Sequence, residues 1–220
     1  MRKLLLTLML LASPLLASAA SVSLQNTGVD AGGNLVGAGQ ATAFWTLSAA
    51  PVGSSVALGS NPFRFRHPSY AADTSVSAWV SPGSNGSAGA FGQYVYDLSF
   101  DLTGFDPATV SIQGLFSSDN DGALWLNDEP LAVTSSFAGF GTLTAFSLTG
   151  GFVPGVNVIH AMVNNGGDPT AFHVQFTSVT ASPVPLPPAA ALLAAALPAL
   201  VLGRRRPAGS TRGALSRAPG

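Results

Sequence analysis

Four consecutive residues, Asp119-Asn120-Asp121-Gly122, crowd carboxylate and amide oxygens into one short stretch. Clustered oxygens suit a calcium ion, yet the run has neither the remaining spacing nor the terminal Glu of an EF-hand loop. The same residues also spell a tight turn, in which Asp and Asn side chains bond nearby backbone and Gly122 takes a positive φ. We therefore assign no metal and no cofactor. A different chemistry is open to the same neighbourhood. Trp125 and Asn127, with Asp119, Asn120 and Asp121 and with Asn164 and Asn165 further along, carry the side chains of a glycan-binding rim. An indole ring stacks on a pyranose face, and amides bond hydroxyl groups. Trp125 alternates with Leu124 and Leu126, so a place in the core is the competing reading.

Catalysis has no comparable constellation. Asp128 and Glu129 are adjacent, but they precede Pro130 in an expected hairpin turn, whereas a glycosidase pair needs a cleft. His67, His160 and His173 have no close His or Cys partner in sequence, and neither HExxH nor GxSxG occurs. Gly37-Ala38-Gly39 lacks the third glycine and the βαβ context of a dinucleotide loop. The expectation is a protein that is not an enzyme.

The elements that must position these residues are strands. The 220-residue chain has 25 Gly and 16 Pro, and only 9% of it is charged, a composition that disfavours long helices and favours short strands joined by turns. Tyr94, Tyr96, Leu98, Phe100 and Leu102 alternate with mostly polar neighbours, the period of a half-buried strand. Phe172, Val174 and Phe176 alternate in the same way with His173, Gln175 and Thr177. Further strands are expected over 41–47, 109–116, 123–127, 143–148 and 156–163. Turn signals at 104–107, 119–122, 127–130, 150–155 and 164–169 separate them. This spacing predicts an all-β antiparallel sandwich over residues 21–182. The run from Tyr94 to Gly104, the segment 118–127 with its Trp125, the Phe-x-Pro-Gly-x-Asn of 152–157 and the 164–170 turn together resemble the galactose-binding-like jelly roll of carbohydrate-binding modules. The resemblance covers 93–181 and implies that fold. Trp79 stands where such domains carry a Trp leading into their first sandwich strand.

Both ends carry addresses. Arg2 and Lys3, an apolar run over 4–11 and the small residues Ala17 to Ala20 make residues 1–20 a secretory signal peptide, so signal peptidase and the secretion machinery are expected partners. The chain has no cysteine, so the domain is held by burial alone. All ten acidic residues lie between Asp30 and Asp168, where the basic residues are Arg64 and Arg66; ten carboxylates against two arginines leave the body at −8. The other basic residues flank the apolar ends, an asymmetry that puts both termini on the cytoplasmic side and the acidic body outside. A surface of that sign argues against nucleic acid as a partner.

Residues 169–203 contain no charged side chain, and 189–203 are almost wholly apolar. Fifteen helical residues reach about 22 Å, and adding 184–188 brings the span close to the roughly 30 Å of a hydrocarbon core. Arg204, Arg205 and Arg206 then stop translocation. The order Val184-Pro185-Leu186-Pro187, apolar helix, arginine cluster resembles the PEP-CTERM sorting signal of exported Gram-negative proteins, with Leu186 in the place of the usual Glu, as in a Val-Pro-Leu-Pro variant. The resemblance implies an exosortase-type membrane protease as partner, cleavage near the Pro-x-Pro element, an inner-membrane-anchored precursor, and release to the cell surface or an extracellular polysaccharide matrix. Residues 183–206 are the expected sorting signal and transmembrane helix, and 207–220 a disordered cytoplasmic tail. The expected function is that of an exported surface or matrix protein; the alternative is a carbohydrate-binding module.

Overall fold

The structure, a computed structural model, describes residues 21–185. The expected signal peptide and transmembrane helix, and with them Leu186, Pro187, Arg204, Arg205 and Arg206, lie outside those residues.

Among the described residues ten strands follow one another: β1 (Thr46–Ala49), β2 (Phe63–Arg64), β3 (Val80–Ser81), β4 (Gly92–Asp101) and β5 (Phe105–Asp119), then β6 (Asp121–Leu126), β7 (Glu129–Ser135), β8 (Thr144–Leu148), β9 (Val156–Asn165) and β10 (Ala171–Pro183). One short 3₁₀ turn, Gly139–Gly141, interrupts them between β7 and β8. The strands form two five-stranded sheets, ordered β1-β4-β9-β6-β7 and β2-β3-β10-β5-β8, with every pairing antiparallel. The all-β expectation holds, and the two sheets face each other as a sandwich.

Alternation explains how the layers close. Tyr94, Tyr96, Leu98 and Phe100 of β4, Leu124 and Leu126 of β6, and Ile159, Ala161 and Val163 of β9 point inward from the first sheet. They meet Ile112 and Phe116 of β5, Phe146 and Leu148 of β8, and Phe172 and Val174 of β10. Phe172 sits at the centre, its ring 4.7 Å from that of Tyr96 and 5.5 Å from that of Trp45. Full burial of side chains this size contributes roughly 1.5–3 kcal/mol each. A second, smaller cluster lies on the other face of β10 and β5, where the segment before β3 lays Tyr70 and Trp79 across Ala171.

Three local expectations need correction. The strand expected over 41–47 begins only at Thr46, because Phe44 has a φ of 72° and turns the backbone out of the extended region. The run 119–122 is not a tight turn. β5 and β6 are separated by Asn120 alone, and at that residue the chain passes from one sheet to the other. Gly122 accordingly lacks the positive φ expected of it. It is required for a different reason: a Cβ there would stand 2.5 Å from the Met162 carbonyl oxygen and 2.6 Å from Ser118 Oγ. His173, expected on a polar face, is fully buried under Trp79.

Candidate functional site

β10 starts beside the end of β5, with Ala171 opposite Asp119, and finishes beside its start, with Pro183 opposite Phe105. The first of these two ends carries a cleft of about 320 Å³ lined by His67, Tyr70, Asp119, Asn120, Phe137 and Phe140, and closed by Gly166 to Pro169. Two larger hollows exist, of about 500 Å³ along β8 and about 560 Å³ around Ser55 and Ser84, but neither is lined by a charged side chain. The smaller cleft combines two carboxylates, Asp119 and Asp168, with an amide, an imidazole and three aromatic rings, the mixture that fixes a ligand's orientation.

Each wall is held from behind. Asp119 ends β5 and is only 5% exposed; its Oδ2 accepts a 2.8 Å hydrogen bond from the Tyr70 hydroxyl and its Oδ1 a 2.9 Å bond from Asn120 Nδ2. Tyr70 rests on Trp79, ring centroids 4.4 Å apart, and Trp79 is tied down by its indole N–H donating to the Ala71 carbonyl at 2.8 Å. The Ala71 amide donates to the Phe140 carbonyl, and Ser117 Oγ donates to that of Gly139, so the short 3₁₀ turn is pinned to both β5 and the Tyr70 segment. Phe140 stands 5.7 Å from Tyr70, while Phe137 is 64% exposed at the rim. Asn120 accepts from the Gly166 amide at 2.6 Å and donates its own amide N–H to the Asn164 carbonyl, which joins the sheet crossing to the 166–169 wall.

Burial pushes the Asp119 carboxyl up from its ordinary range, opposed by the Tyr70 hydrogen bond and by the nearby His67. Tyr70 is pushed far up by burial and by the same carboxylate, so it stays a hydrogen-bond donor at all physiological pH. Among the described residues Arg64 forms an ion pair with Asp73, and His160 Nδ1 lies within hydrogen-bond distance of Asp97 Oδ1. Asp119 belongs to neither.

The residues expected to form a rim separate into five places. Asp119 and Asn120 line the cleft. Asn165 lies just behind it, buried, with Nδ2 donating to the Ala90 carbonyl and Oδ1 accepting from Gly167. Asp121 and Asn164 lie opposite each other on β6 and β9 and are joined by a 2.6 Å hydrogen bond from Asn164 Nδ2. The Asp119 and Asp121 carboxylates therefore engage different partners. No group of three metal-ligating side chains occurs among the described residues. Asn127 lies at the far end of β6, about 17–20 Å away by strand rise. Its φ of 54° makes the β6–β7 turn, and its amide is spent on Val158, Asn157 and Gly151.

Trp125 is half-buried on the outer face of its sheet, while Leu124 and Leu126 fill the core. Alternation thus decides against the core reading. Across the strands Trp125 faces His160, and His160 faces Asp97. His160 Nδ1 lies 2.7 Å from Asp97 Oδ1, which also accepts from Ser48 Oγ at 2.8 Å. The hydroxyl bonds the carboxylate rather than the imidazole.

Sequence reasoning missed Tyr70, Phe137, Phe140 and the His160–Asp97 pair. The rings stand in Gly-, Ser- and Pro-rich stretches without period, where a large apolar residue in a turn-forming segment is the one available signal. The pair is separated by 63 residues and is created by strand pairing. No protein-family model matches the chain, and no curated protein or solved structure matches it.

Proposed function

We propose that this chain is an exported, non-enzymatic surface or matrix protein whose sandwich binds a glycan in the Tyr70–Asp119 cleft. The observation that carries the reading is the cleft itself, which sets aromatic rings beside a carboxylate and an amide on a rigid sheet end. Rings of this kind cover the apolar faces of a sugar, and the polar groups bond its hydroxyls. Strand order supports the jelly-roll reading of the sequence. Counting β3 to β10 as one to eight, the sheets run 1-8-3-6 and 2-7-4-5, the arrangement of two interlocked Greek keys.

Binding is tested on a glycan array. Exchange of the exposed Phe137 for Ala is expected to weaken binding about tenfold, a loss of roughly 1.4 kcal/mol. Trp125→Ala is expected to leave it unchanged. Retention of full affinity in both Phe137→Ala and Phe140→Ala would remove the cleft. A second reading, favoured by the Trp125–His160–Asp97 row, places the sugar on the outer sheet face, and loss confined to Trp125→Ala would establish it.

Sorting rests on the sequence. The sandwich is compatible with it, because Val184 and Pro185 directly follow β10 and are exposed. Fractionation of cells with and without an exosortase, followed by mass measurement of the released protein, is expected to show a C-terminus shortened to near Pro185–Pro187 only where the enzyme is present. An intact C-terminus through Gly220 in both strains would overturn this part of the proposal.

A further inference from the structure

Asp119 poses a problem that no other described carboxylate does. It is 5% exposed, yet its partners are a phenol and a primary amide, both neutral. Asp73, comparably shielded, has the Arg64 guanidinium at 2.9 Å. A buried anion without a counter-cation is costly, and the cost is relieved when a cation is brought to it. The other charged groups at the cleft do not supply one. Asp168 is a second carboxylate, bonded by Ser87 Oγ, and the His67 imidazole lines the cleft without bridging to Asp119. Arg66, next along the chain, does not line the cleft.

The remaining walls are rings. Tyr70 and Phe140 are 5.7 Å apart, centroid to centroid, and Phe137 stands exposed at the mouth. Each ring presents a negative face, and a cation is attracted to such a face within about 6 Å of the centroid. Aromatic rings and a carboxylate line one cleft, the groups from which a cage for an organic ammonium is built. A metal ion would require several converging ligands, and no group of three metal-ligating side chains occurs among the described residues.

We infer that the Tyr70–Asp119 cleft binds an organic ammonium group, presented by the glycan as the free amine of a hexosamine. The inference rests on the glycan reading for its source of ammonium and on the cage alone for its chemistry. Asp119 would accept hydrogen bonds from the ammonium while keeping that from Tyr70. Phe137 and Phe140 would cover the C–H surface beside it.

The test is calorimetric titration of the full chain with five probes: the hexamers of glucosamine, N-acetylglucosamine and glucose, and the free cations glucosamine and choline. The glucosamine hexamer is expected to bind about tenfold or more tightly than the two neutral hexamers, from one charge-assisted contact and one or two cation–π contacts. Asp119→Asn, nearly isosteric and still able to accept from Tyr70, is expected to abolish that preference. Phe137→Ala, at an exposed position that cannot endanger folding, is expected to reduce it several-fold. Equal affinity for charged and neutral hexamers, or a preference that survives Asp119→Asn, overturns the ammonium inference and leaves the glycan reading standing. Binding of choline and glucosamine with no gain from any hexamer supports the cage and overturns the glycan reading. Silence from all five probes overturns both.

Discussion

Replacing Trp79 with Ala is expected to cost about 3–5 kcal/mol of stability, seen as a lower urea midpoint at unchanged slope when unfolding is followed by circular dichroism. Trp79 is 1% exposed and directly precedes β3. Its removal deletes the ring under Tyr70, opens a void against His173, and leaves the Ala71 carbonyl without its donor. The transfer, cavity and hydrogen-bond losses act together. Because Tyr70 is positioned by that ring, ligand affinity should fall in Trp79→Phe as well, though the smaller ring preserves much of the stability. A Trp79→Phe variant with wild-type affinity would show that the cleft does not depend on this support.

The second large effect concerns acid. His173 is fully buried, with Nε2 2.8 Å from Ser77 Oγ and Nδ1 unpartnered. Burial pushes its pKa down to about 4, with Asp73 opposing. The unfolded chain therefore binds a proton here that the folded chain refuses, in the window between about 6.5 and about 4. Stability contributed by the neutral imidazole is present above that window and is lost as pH falls through it, at about 1.4 kcal/mol per pH unit and about 3 kcal/mol in all. Asp119 acts in the opposite sense: its raised pKa makes the folded state the better proton acceptor above its unfolded value, so its contribution declines as pH rises. Comparing wild type with His173→Gln isolates the histidine, since the carboxylate term is common to both. Equal pH slopes in the two proteins between 6.5 and 4 would remove the histidine as the cause.

Much of the sandwich was legible because period-2 alternation carries information about burial. Tyr94 to Phe100 and Phe172 to Val174 point inward as their spacing requires. Alternation fails where a strand is covered on both faces, as at His173, because the covering segment is remote in sequence and has no period of its own. It also fails at Phe44, where a backbone angle rather than a side chain ends the extended run. At the site, Asp119 and Asn120 were legible as polar residues in an unusual cluster, though their setting was read as a turn. Trp125 was legible as an aromatic of undecided face, which the pairing of β6 with β9 resolved. Tyr70, Phe137 and Phe140 were not legible, since what makes them a wall is contact between segments about 70 residues apart.

The direction of β10 has a consequence for reach. The strand leaves the cleft at Ala171 and runs the full length of β5 to Pro183, so the cleft and the exit of the chain lie at opposite poles of the sandwich. Fifteen residues of extended β5 measure about 45 Å. Under the sorting proposed above, a tether following Pro183 would join the sandwich about one strand length from the cleft. Cleavage of the tether would free the domain without disturbing the binding end.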